Sequence, residues 1–123
     1  ADLSNVASIV AAQAAAGAGV PLRCVVHLCA SKPGWTAQYP ELFAAPIEAP
    51  PRALVVKAER DEMGAAKGGP DALAEIYAAP ERTVHPEGHR PLPRDTAACE
   101  KLCGEVRAFL LESCSPVSSP PGG

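Results

Sequence analysis

Ala53-Leu54-Val55-Val56-Lys57-Ala58, running directly into Glu59-Arg60-Asp61-Glu62, is the stretch that decides how this chain is read. A short run of apolar and β-branched residues that stops at a charged cluster is a strand followed by a strand-end loop. Upstream, Leu22-Arg23-Cys24-Val25-Val26-His27-Leu28 repeats the pattern between Pro21 and Ser31-Lys32-Pro33-Gly34, which predicts a buried strand. Downstream, Glu81 to His85 is a third, weaker one. Helical patterns stand between and around them. Leu3, Val6, Ala7, Val10, Ala11 and Ala14 share one face of a helix that starts at or just after Ser4 and ends near Gly17-Ala18-Gly19. Pro70 to Ala78 reads as a short helix, with Pro in its first turn and Asp71 suited to the helix dipole. The last helix is capped by Asp95 or Thr96 and carries a stripe of Ala98, Leu102, Val106, Phe109 and Leu110. Residues 34–52 have no sustained period and form a long loop with one helical turn around Glu41 to Ala44. Strands that alternate with helices pair in parallel. The expected fold is therefore α/β: a three-layer αβα sandwich around a small parallel sheet, the size of half a domain.

Composition narrows the possible functions. The 123 residues include 14 Pro, 10 Gly and 24 Ala, whereas Leu, Ile, Val and Phe together number 25. The core should be thin, with an exposed sheet edge and marginal stability. Eleven basic against 14 acidic residues, without a basic cluster, argue against a nucleic-acid partner. No apolar run is long enough to span a membrane. The N-terminus lacks the positive charge of a secretory leader, with Asp2 where Lys or Arg would stand, and no Met opens the chain. Five cysteines, an odd number, fit reduced thiols in a cytoplasmic protein. Cys99 and Cys103 lie four apart on the last helix, but no further ligand accompanies them at metal spacing, so no metal or cofactor is expected. Residues 115–123, Ser-Pro-Val-Ser-Ser-Pro-Pro-Gly-Gly, read as a disordered tail behind a domain at 1–114.

In an open parallel sheet, reactive groups collect at the carboxyl ends of strands. Asp61 follows the second strand, and His89, within Pro86-Glu87-Gly88-His89-Arg90-Pro91, follows the third. A carboxylate on one such loop and a histidine on the next is an arrangement that orients an imidazole as general base. Gly88 would let the backbone turn tightly enough to aim the ring over the sheet edge. Taken singly, Asp61 reads first as a turn former, His89 as a solvated side chain and Ser4 as a helix cap, while His27 and His85 read as packed strand residues. The chain order Ser4, Asp61, His89 is nevertheless that of α/β-hydrolases.

At these residues the sequence resembles the FSH type of serine hydrolase, a branch of the α/β-hydrolases. His85-Pro86-Glu87-Gly88-His89-Arg90-Pro91-Leu92-Pro93 is similar to the family's His-Pro-Gly-Gly-His-x-x-Pro segment. Leu73 to Tyr77, Leu54 to Asp61, Cys24 to Pro33 and Ser4 to Ile9 resemble further family segments, so the likeness covers most of residues 2–112. It implies the C-terminal half of a hydrolase domain that cleaves a small carboxylic ester. Ser4 would be the nucleophile, Asp61 and His89 the other triad members, and the N–H of Asn5 one oxyanion donor. Trp35, Tyr39, Leu42 and Phe43 would line an apolar acyl site, a role that competes with simply covering the sheet. The elbow Asp2-Leu3-Ser4-Asn5-Val6 lacks both glycines of the family's G-x-S-x-G. That departure keeps open a second expectation, an inactive hydrolase-like module for interaction, and Cys99/Cys103 supplies a third, a redox or metal module.

Overall fold

The computed structural model describes residues 3–30, 36–62 and 69–114. The elements run α1 (Leu3–Ala15), β1 (Cys24–Leu28), β2 (Arg52–Ala58), α2 (Gly69–Ala74), β3 (Glu81–His85) and α3 (Thr96–Cys114). The three strands form one sheet in the order β1-β2-β3, and both pairings are parallel. In register, Cys24 stands opposite Arg52, and Leu54 opposite Glu81. The α/β class expected from the alternation is thus what the chain adopts.

Side chains alternate across the central strand, and each face of β2 is covered by different helices. Ala53 and Val55 face a cluster built from Ala11 and Ala12 of α1, Leu73 and Ala74 of α2, and Ile47, Ile76 and Tyr77. Leu54 and Val56 face Leu102 and Phe109 of α3. The layers are helix, sheet, helix, but they are thin, as the alanine-rich composition implied. Val84 on β3 remains 52% exposed.

Local chemistry explains where the helices stop and start. The end of α1 is a Schellman cap: Ala18 N–H donates to Gln13 O and Gly17 N–H to Ala14 O, with Gly17 at φ 78°. A side chain at Gly17 would be strained there. Asp95 is the N-cap of α3, its Oδ2 accepting the Ala98 N–H at 2.9 Å. The far end of α3 is tied to the sheet by Arg52, which donates to Ser113 Oγ and lies 5.2 Å over the Phe109 ring.

Two expectations are corrected. The helix expected over Pro70 to Ala78 stops at Ala74, because the backbone at Tyr77 is taken by a parallel bridge to Ile47. Ile47 N–H donates to Ile76 O and Ala78 N–H to Ile47 O, so the long loop is fastened where helical bonds would have formed. The stripe on α3 is narrower than its periodicity suggested: Leu102 and Phe109 are buried, whereas Leu110 is 40% exposed. The expected turn around Glu41 to Ala44 is present one step earlier, with Leu42 and Phe43 N–H both donating to Tyr39 O. The tail at 115–123 lies outside the described residues. Among the described residues, no helix is long and apolar enough to cross a membrane.

Candidate active site

The loops leaving β2 and β3 are laced together just beyond the named strands. Glu59 N–H donates to His85 O at 2.9 Å and Arg60 N–H to Glu87 O at 3.1 Å. The Arg60 side chain adds a bond from Nε to Pro86 O. Across this junction His89 Nδ1 stands 2.8 Å from Asp61 Oδ2. The Asp61 side chain is 3% exposed and that of His89 45%, so a buried carboxylate backs a half-open imidazole. Nδ1–H is the donor in this pair, which leaves Nε2 as the ring's accepting nitrogen. A carboxylate that fixes the tautomer and stabilises the imidazolium is what a general base requires.

Gly88 does not hold the turn as the sequence suggested. Its backbone is outside the left-handed region, and an added Cβ would meet Arg60 O at 3.7 Å, an ordinary contact. Side chains hold it instead. Glu87 Oε1 and Oε2 accept the N–H groups of Arg94 and Asp95, tying the histidine loop to the start of α3. Those two donors hold the Glu87 carboxyl below its ordinary pKa. His85, read from the sequence only as a packed strand residue, is 2% exposed and bonded on both ring nitrogens. Neither role shows as a pattern in the sequence. Each depends on where the loop folds back.

His27 is also buried, as expected, and its Nε2 lies 2.7 Å from Tyr77 Oη. Burial pushes the Tyr77 phenol up, so it stays neutral, and the Ser8 hydroxyl bonds the same oxygen. This buried trio fastens α1, β1 and the segment after α2 to one another.

The other expected site residues are less gathered. Ser4 lies in the first turn of α1, followed by Asn5; their side chains, and Trp35 altogether, are outside the described residues. Phe43 packs on the cluster beneath α1 and α2 and lines a hollow of about 510 Å³ with Thr36, Ala37 and Ile76. Tyr39 is 51% exposed beside a separate hollow. Neither hollow is lined by Asp61 or His89, so the sheet-covering role describes Phe43 and Leu42 better than an acyl pocket does.

Compared with known proteins, the chain matches no family model, no curated protein and no solved structure.

On α3, Cys99 Sγ and Cys103 Sγ are 3.9 Å apart, and the neighbouring Cys103 thiol pushes Cys99 up. Among the described residues, no group of three His, Cys, Asp or Glu side chains is placed to hold a metal.

Proposed function

We propose that this chain carries the acid and base of a serine hydrolase of the FSH type, acting on a small carboxylic ester through an acyl-enzyme. The observation that carries the reading is the 2.8 Å bond between buried Asp61 and half-exposed His89, on adjacent strand-end loops of a parallel sheet. The strand order agrees with it, since acid and base follow consecutive neighbouring strands. In this mechanism His89 Nε2 takes the proton from Ser4 Oγ as that oxygen attacks the ester carbonyl. It then delivers the proton to the leaving alcohol, and in the second half-reaction it activates the water that releases the acid. Asp61 keeps Nδ1 protonated and offsets the positive charge that forms on the ring. The Asn5 N–H, at the start of α1, donates to the developing oxyanion.

The test is fluorophosphonate labelling of the whole protein. Labelling that disappears in Ser4→Ala while the fold is kept supports the enzyme, and a folded wild-type protein that takes no label overturns it. The second reading, a hydrolase-like interaction module, is favoured by Asp2 and Val6, which stand where the family elbow has its two glycines; Val6 is 42% exposed. It predicts the unlabelled, folded outcome.

A further inference from the structure

His89 sits within a five-residue return, Pro86 to Arg90, whose geometry is set from inside by the ring of His85. Glu87 N–H donates to His85 Nδ1 at 3.2 Å, and His85 Nε2 lies 2.9 Å from Arg90 O. A nitrogen that accepts a backbone N–H carries no proton, and a nitrogen facing a carbonyl must carry one. The two bonds therefore require the Nε2–H tautomer, and together they span the loop on either side of Gly88-His89. The Arg90 carbonyl is held from a second direction by Cys29. This residue follows β1 directly, with φ 55°, and points its thiol at the same oxygen, 3.8 Å from His85 Nε2. The anchoring is thus shared by β1 and β3, while Gly88 itself imposes no steric demand.

We propose that His85 is the positioning residue of the base loop: as the Nε2–H tautomer it clasps Glu87 and Arg90, and so fixes the approach of His89 to Asp61. Its catalytic consequence rests on the reading of His89 as general base, but its geometric content does not. A general base must hold its nitrogen within hydrogen-bond reach of the nucleophile, and misplacement by about 1 Å costs about 100-fold in rate. Cutting the clasp takes the His85 acceptor from the half-buried Glu87 N–H and leaves the Arg90 carbonyl only the Cys29 thiol, and the loop moves to find replacements.

Long-range proton–nitrogen NMR spectra of the full ¹⁵N-labelled chain read both tautomers. In the wild type His85 is expected as Nε2–H and His89 as Nδ1–H. In His85→Leu the His89 Nδ1–H signature is expected to be lost, and the fluorophosphonate labelling rate to fall about 100-fold. His85→Gln, which keeps a donor for Arg90 O, is expected to restore the signature and to lie within about tenfold of wild type. A folded His85→Leu with the His89 signature and labelling unchanged overturns the proposal, as does a wild-type His85 found as Nδ1–H. If His85→Leu does not fold, the wild-type tautomer and the Gln variant still decide. An unlabelled wild type in which the His89 signature is present, and vanishes in His85→Leu, overturns the hydrolase reading and leaves the clasp standing.

Discussion

Asp61→Asn isolates the charge of the dyad from its shape. Asn is nearly isosteric, and its Oδ1 still accepts the His89 Nδ1–H, so the change removes chiefly the negative charge facing the imidazolium. The atoms involved are 2.8 Å apart. At that separation Coulomb's law gives about 1.5 kcal/mol in bulk water and about 6 kcal/mol at the effective dielectric of a protein interior. The Asp61 side chain is 3% exposed and that of His89 45%, so the pair lies between these limits. About 3 kcal/mol of differential stabilisation corresponds to roughly two decades in rate. The assay is the second-order rate of fluorophosphonate labelling, followed by intact mass, for wild type and Asp61→Asn, with the melting temperature recorded on the same samples. The expected outcome is a fall of about 100-fold with a melt displaced by only a few degrees, since the His89 Nδ1–H keeps an accepting oxygen. A folded variant that labels within threefold of wild type would refute the idea that the Asp61 charge assists His89.

The narrow stripe of α3 makes its own contrast. Leu102→Ala, at 2% exposure, should cost about 3 kcal/mol and lower the melting temperature by about 12 °C, whereas Leu111→Ala, at 59%, should change it by about 2 °C or less. Equal shifts would mean that a different face of α3 meets the sheet. Glu87 supplies a pH dependence: its folded pKa is lowered, so its contribution is full above the ordinary carboxylate range and is lost as pH falls through it. The melting temperature of wild type should therefore exceed that of Glu87→Gln at neutral pH, and the two should converge on acidification; a gap that widens in acid would contradict the capping of Arg94 and Asp95.

Much of this architecture is written in local patterns. Glu81 to His85 is a strand with the bounds the sequence suggested, and Cys24 to Leu28 lies within the run Leu22 to Leu28. These runs are legible because they are short, apolar or β-branched, and closed by Pro, Gly or charged residues. The juxtaposition of Asp61 with His89 was legible too, because parallel strands with crossover connections put successive strand-end loops side by side. Local patterns fail where a partner distant in sequence intervenes. The helical pattern running on to Ala78 loses to Ile47, some thirty residues earlier. Leu110 fits the apolar spacing, but α3 meets only a three-stranded sheet, too narrow to cover a stripe that wide. The double role of His85 was hidden for a further reason. Alternation tells which face a strand residue takes, but says nothing of which loop will close over it.

The bonds from Glu59 N–H to His85 O and from Arg60 N–H to Glu87 O continue the β2–β3 pairing past its last named residues, so the dyad sits on added rungs of the ladder. Opening the site therefore means fraying the sheet from its carboxyl end, and Asp61 and His89 belong to one cooperative unit with β2 and β3. The backbone amides of Glu59 and Arg60 should then exchange with solvent in step with those of the strands. In such a protein the pairing of Asp61 with His89 cannot outlast the central ladder.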